Sequence, residues 1–264
     1  MKPAQTSPVP LASDGDGRRS FGGLGPAPPA TPQVDGAGAA TLAPIVVRDF
    51  LATGVVGVLL MAPAAAVRWP GAWAFLIEMA LLSVCLDIWL RLRDPGLHQA
   101  RTASPSALQP AWDRWVLMTY FTLWIAWFVV MGFDVRLHGV HRTLGWAEAA
   151  GAIGVAAYYA LTFSAFRSNT FAAPIVTFQP ERGHHVISDG PYRIIRHPMY
   201  AASVLLFVSA PLLLGAPWGL AFAPILTGVL VLRCLLEERT LRGGLEGYEA
   251  YLMRVRYRLV PLVW

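Results

Sequence analysis

The segment Gly190-Pro-Tyr-Arg-Ile-Ile-Arg-His-Pro-Met-Tyr200 sets two arginines, one histidine and two tyrosines directly before an apolar run. Ionisable groups held at a membrane boundary are costly and mark function. Gly190-Pro191 is a turn signal. Pro198 suits the first turn of the helix that follows. His197 then stands at the helix entrance, where free N–H groups and the helix dipole favour anionic ligand groups. A second cluster, Arg233, Glu237 and Glu238, closes the last apolar run. Arg233 and Glu237 are four residues apart and share a helical face. Glu238 points about 100° away and reads as a solvated residue. Taken singly, the first cluster also fits an interfacial anchor and the second an intrahelical ion pair.

The elements that must position these groups are membrane helices. The chain has 264 residues, 55% hydrophobic and only 14% charged, against about 25% charged in soluble domains. The net charge of +5 does not mark a nucleic-acid partner, because Lys and Arg gather at the ends of apolar runs. Six apolar segments fall near 50–67, 71–90, 115–133, 146–166, 200–215 and 217–235. A span needs about 20 residues. The first four reach that length. The last two are shorter or interrupted by Pro211 and Pro224, and are joined by the tight turn Gly215-Ala216-Pro217. They read as a kinked helical hairpin. Trp69, Trp73, Trp115, Trp146 and Trp218 lie near span ends, as interfacial aromatics do. The expected fold is an all-α polytopic integral membrane protein with about six transmembrane helices.

Residues 1–43 are rich in Pro, Gly, Ala and Ser, lack the composition to bury a core, and are expected to be a disordered tail. No apolar stretch of signal-peptide type follows their early charges. Gly22-Gly23-Leu24-Gly25 has no strand before it and no helix after it, so it reads as linker. Residues 44–145 hold the first three spans. With both termini cytoplasmic, the outer loops carry only Arg68, Arg136 and Arg142 of the 21 basic residues. The positive-inside rule therefore puts both termini, residues 167–199 and the end of the chain on the cytoplasmic side, in a bacterial inner membrane. Both polar clusters then share one membrane face.

Other polar residues weigh less. Glu78 lies deep in the second span, either functional or neutral and hydrogen-bonded to a neighbouring helix. Asp87 reads as structural. Cys85 and Cys234 lie in or beside spans, form no disulfide framework, and read as packing residues. His138 and His141 lack a third ligand, and His184-His185 lack ligand spacing, so no metal is expected. The stretch from Tyr248 to Arg258 alternates aromatics and cations, as a short helix on an anionic leaflet would.

Three motifs in order carry a resemblance: Gly190 to Tyr200, then Leu236-Glu237-Glu238-Arg-Thr-Leu241, then Gly247-Tyr248-Glu-Ala-Tyr251-Leu-Met-Arg254-Val255. Over residues 146–264 the chain resembles the isoprenylcysteine carboxyl methyltransferase family, which is related to the membrane phospholipid methyltransferases. The resemblance implies a membrane enzyme that uses S-adenosylmethionine (SAM), with a cytoplasmic cofactor site in residues 146–264. It implies that Gln179, His184, His185, Val186, Ile187, Tyr192, His197, Pro198, Met199 and Tyr200 line the SAM pocket and that Glu237 holds the SAM amino group. Arg233 would face the acceptor, and Tyr200 and Arg196 are the other candidate catalytic residues. The family often places Gly two residues after the tyrosine of its Arg-His-Pro-x-Tyr motif, where this chain has Ala202.

The residues alone agree with this chemistry. No strand–Gly-rich loop–helix unit of the soluble nucleotide-binding kind is present, so a SAM site here must be built from helix ends and loops. Methyl transfer to an ionised acceptor requires alignment more than a strong base. A dry pocket favours it where an anion and a sulfonium neutralise each other. The implied partners are the lipid bilayer and a lipophilic or small acceptor carrying a carboxylate, thiol or amine. Two other readings stay open on sequence. One is an NADPH-dependent reductase of the sterol reductase kind, which shares the ending Tyr257-Arg258-Leu-Val-Pro261. The other is a non-catalytic membrane scaffold. Acceptor identity and oligomeric state are not encoded in these motifs.

Overall fold

In a bilayer the backbone must satisfy its own hydrogen bonds, so long apolar runs become helices. A computed structural model describes residues 42–102, 109–140 and 145–264. Residues 1–41 of the expected tail, with its glycine cluster, and His141 and Arg142 lie outside the described residues, and the tail's last expected residue, Ala43, instead opens α1. The helices are α1 (Ala43–Ala64), α2 (Pro70–Arg93), α3 (Pro95–Thr102), α4 (Ala111–His138), α5 (Trp146–Ser168), α6 (Pro198–Leu214), α7 (Phe222–Gly244) and α8 (Tyr248–Arg254). No strand occurs among the described residues. Helices α1, α2, α4 and α5 are long and apolar enough to cross a membrane, as is the stretch Pro217–Gly244 that contains α7. The protein is an all-α integral membrane protein, as its composition indicates.

Prolines set several of the boundaries. Pro44, Pro70 and Pro198 stand in the first turns of α1, α2 and α6, where no N–H is needed. Pro211 lies inside α6, which ends at Gly215 in a left-handed conformation (φ 62°). Pro224 falls in the first turn of α7 and costs that helix no hydrogen bond. Beyond the turn, residues Pro217–Ala221 form a 3-10 segment. Helix α6 has only 17 residues, about 25 Å, which is shorter than the hydrocarbon core of about 30 Å.

The bundle is dense at one end and open at the other. Leu60, Trp127, Phe128, Met131, Phe207, Leu213, Leu214 and Leu226 are almost wholly buried. They cluster toward the Gly215–Pro217 turn. There Trp127 Nε1 donates to Gly219 O (2.9 Å), Trp69 Nε1 donates to Leu214 O (2.8 Å), and Trp218 N donates to Asp134 Oδ2 (2.8 Å). Trp69 is thus a buried structural donor, 1% exposed, rather than the interfacial anchor expected. Trp73, Trp115, Trp146 and Trp218 are exposed. Cys234 is buried, whereas Cys85 is exposed and not a packing residue. Asp87 binds Arg48, tying α2 to α1.

Helices α5 and α6 pack at backbone distance. A side chain at Gly151 would strike Leu213 N and Ser209 O, and one at Gly154 would strike the Ser209 side chain. Small residues permit such contacts where hydrophobic driving force is absent. Ala202 is fully buried in α6. Gly151→Leu should force α5 from α6 and destabilise the protein by about 1–3 kcal/mol or more, the usual range for overpacking. Thermal unfolding in detergent measures this, and an unchanged midpoint would contradict the close α5–α6 approach.

Candidate functional site

At the open end, the chain between α5 and α6 folds into turns. Gly190 adopts φ 53°, and residues Gly190–Arg193 form a short 3-10 turn with Tyr192 buried. The following residues then pair with the end of the chain. Arg196 N donates to Tyr257 O (2.9 Å), and His197 N donates to Arg258 O (3.0 Å). Pro198 opens α6 immediately afterwards. The sixth apolar run gives way to charged residues after Leu236, but its helix does not stop there. Helix α7 continues to Gly244, so Arg233, Glu237 and Glu238 all stand on it.

Glu238 differs most from the sequence reading. It is 3% exposed, not solvated. Its Oε1 lies 2.8 Å from Arg196 Nε and 3.3 Å from His197 Nε2, and its Oε2 accepts from Arg258 Nε at 3.1 Å. Arg196 Nη1 also donates to Val255 O at 3.4 Å. One carboxylate therefore binds the entrance of α6 and the chain after α8. Glu237 turns elsewhere and accepts from Tyr200 Oη at 2.5 Å. The His197 ring stacks on Tyr200, with centroids 5.3 Å apart and planes 5° from parallel.

Arg233 is not held by Glu237, as a simple i, i+4 pair would be. Its Nε donates to Asp113 Oδ1 (2.9 Å) and its Nη2 to Pro174 O (2.6 Å). Asp113 is fully buried in the first turn of α4, where the helix dipole favours a carboxylate. Its Oδ2 also accepts from Gln109 Nε2 (2.9 Å) and Val176 N (3.1 Å). Both carboxylate oxygens are thus committed to holding Arg233 and the 174–176 loop.

Tyr200, Arg233 and Glu237 face one cavity of about 310 Å³, and Asp113 and Glu238 stand behind its wall. The cavity is lined by His184, His185, Val186, Ile187, Tyr192, Arg196, His197, Pro198, Met199, Tyr200, Arg233 and Glu237, all of them residues singled out in the sequence. Gln179 does not line it. It is buried behind the wall, donating from Nε2 to Phe171 O (3.0 Å) and accepting from Arg182. The floor is formed by Leu117, Tyr120 and Phe121 of α4, Tyr158 of α5 and Leu230 of α7. Leu117 and Phe121 lie one turn apart, so the cavity reaches about 6 Å along α4. Phe121 is also 56% exposed on the outer surface of the bundle. Glu78 does not line the cavity.

Helix α8 covers the cavity. Tyr248 and Tyr251 are buried and line it, and Tyr251 Oη donates to Tyr192 O at 2.9 Å. The aromatic face expected on a lipid leaflet is turned inward instead. Burial raises the pKa of Tyr248 and Tyr251 and pushes that of Tyr192 up to about 12, so all three remain neutral phenols. Burial, then the nearby His185 and Arg182, lower the pKa of His184. Its Nδ1 is buried with no hydrogen-bonding partner among the described residues. His197, Cys234 and Glu238 bring three ligand-type atoms within 4.8 Å of one another, but the Glu238 carboxylate is already neutralised by Arg196 and Arg258.

Three contributors escaped the sequence reading. Helical angle alone leaves Glu238 pointing to solvent. Asp113 carries the signal of an acid in a helix's first turn, three residues after Pro110. Arg101 of α3 lines the cavity and has no signal of its own. Against known proteins, residues 146–244 match the family model described as phospholipid methyltransferase. That segment runs from the start of α5 to the end of α7 and contains both polar clusters. No curated protein matches the chain significantly. The family resemblance read from the motifs is therefore borne out, and the match supports a membrane methyltransferase.

Two outcomes follow from these contacts. Asp113→Ala should leave Arg233 buried without its carboxylate and cost about 3–5 kcal/mol. The double variant Asp113→Ala/Arg233→Leu should lose clearly less than the sum of the two single changes, and strict additivity in unfolding measurements would contradict the pairing. His184 is lowered in the folded state, so the unfolded chain binds its proton more tightly. Its contribution to stability is present above the ordinary imidazole value of about 6.5 and declines as pH falls through it. The unfolding midpoint should drop between pH 7.5 and 5.5, and His184→Gln should reduce that drop. An unchanged pH slope in the variant would refute the assignment.

Proposed function

We propose that this protein is a SAM-dependent methyltransferase of the inner membrane, with termini and cofactor site on the cytoplasmic side. Its acceptor is a lipophilic or small molecule carrying a carboxylate, thiol or amine. The observation that carries the reading is the single cavity in which Tyr192, His197–Tyr200 and Glu237 meet Arg233 above a floor of membrane-helix side chains.

The residues present fit the cofactor. Glu237 supplies a carboxylate at the cavity wall for an ammonium group. His184 Nδ1 is a buried polar atom with a bond still to make. Val186, Ile187 and Met199 offer apolar surface to a nucleoside. When bound, SAM supplies a methyl group on a sulfonium, and its transfer leaves S-adenosylhomocysteine (SAH).

The chain's own contribution is alignment and exclusion of water. The stacked His197–Tyr200 pair and the 2.5 Å Tyr200–Glu237 hydrogen bond fix the Glu237 carboxylate. Asp113 and Pro174 O fix Arg233 and leave its remaining donors for an anionic or polar acceptor group. Arg196, committed to Glu238, acts as a positioning residue at the entrance of α6. Helix α8 covers the site with phenols that stay neutral. Phe121, part of the cavity floor and exposed on the outer surface of the bundle, would give an apolar acceptor lateral access beside α4.

Methyl-labelled SAM tests this directly. Inverted membrane vesicles containing the protein should transfer label to a member of an acceptor panel of prenylcysteine, aminophospholipid and small thiols. Sealed right-side-out vesicles should not. Glu237→Ala and His197→Ala should each lower incorporation at least a hundredfold while the protein remains folded. Full incorporation by both variants would show that the cofactor lies elsewhere.

A further inference from the structure

The cavity holds an arginine that the matched segment does not contain. Arg101 lies on α3, outside residues 146–244. Its Nη1 donates to Ala172 O (2.9 Å), and its guanidinium stacks 4.2 Å over the Phe166 ring. The other two arginines on the cavity wall are each paired with a buried carboxylate, Arg196 with Glu238 and Arg233 with Asp113. Arg101 has no carboxylate partner among the described residues. Asp87, the acid whose field reaches it, is taken by Arg48. A guanidinium offers five donors in a planar fork matched to carboxylates. A partly buried one with a single carbonyl partner is incomplete without an anion.

The methyl-donor reading, on which this inference rests, supplies that anion. The methionyl end of SAM carries an ammonium and a carboxylate on one carbon. Glu237 suits the ammonium and repels the carboxylate, which needs a cation not already neutralised by protein. Arg101, Tyr192 and Glu237 line the same cavity. We propose that Arg101 binds the carboxylate of the methyl donor, so that α3, outside the matched segment, completes the cofactor site.

The test compares two ligands of the full-length protein in detergent. SAH carries the carboxylate, and its decarboxylated analogue keeps only the ammonium. Wild type should bind SAH at least tenfold more tightly than the analogue. Arg101→Met should weaken SAH binding at least tenfold and change analogue binding by less than about twofold. Arg101→Lys, which keeps charge and bulk, should retain part of the preference. Equal weakening of both ligands would make Arg101 a structural residue and overturn the assignment. Undiminished SAH binding by Arg101→Met would overturn it too, as would a wild type that binds both ligands alike. A wild type that binds neither ligand would overturn the methyltransferase reading itself.

Discussion

The Glu238 carboxylate is the constraint on which the open end of the molecule depends. It is 3% exposed and takes Arg196, His197 and Arg258 from two separate stretches of chain. A carboxylate this deep is tolerable only because it is neutralised and hydrogen-bonded. The same pairing holds the residues before α6 against the residues after α8. The backbone bonds from Arg196 and His197 to Tyr257 and Arg258 follow that contact, and with them the placement of α8 over the cavity. His197 is in turn fixed for its stack on Tyr200, which presents the hydroxyl that binds Glu237. The adjacent acids thus divide the work: Glu238 builds the wall, and Glu237 faces what the wall encloses.

The packing of the bundle explains why the cavity lies where it does. Apolar side chains and two tryptophan N–H donors close the bundle around the Gly215–Pro217 turn. Near that turn, small residues let α5 and α6 approach closely. Toward the other end the space between α4, α5 and α7 is filled less completely, and the polar groups that line it come from helix ends, loops and the middle of α7. Two of these groups, Arg233 and Arg196, are each tied to a buried carboxylate from another element, Asp113 and Glu238. Such pairs add little net stability, yet they fix geometry in a region where shape alone does not. The site draws on both halves of the chain, since Asp113 and much of the cavity floor come from α4 while the polar motifs come from residues after 179.

Much of this was legible in the residues. Apolar length and proline placement located the six major helices, and the basic residues at their ends put both polar clusters on one membrane face. The spacing of Tyr192, His197, Tyr200, Arg233 and Glu237 announced a site, and they line one cavity. What escaped has a common physical cause. Helical angle says where a side chain leaves its own helix, not what another segment brings to it, so Glu238 read as solvated. Trp69 read as an interfacial anchor because position near a span end does not distinguish a lipid contact from a carbonyl partner such as Leu214 O. Asp113 and Arg101 act through contacts distant in sequence, with Arg233, Val176 and Ala172, which no local pattern encodes. Helix α7 runs past its expected end because Leu241 returns, two turns on, to the face that buries Cys234 and packs there against the α8 cluster.

The central claim is that the cavity between α5, α6, α7 and α8 takes the methyl donor. Isothermal titration of SAH into the purified protein in detergent tests it most directly. The account predicts saturable binding at one site per chain. The absence of any binding heat, confirmed by equilibrium dialysis with labelled ligand, would contradict it.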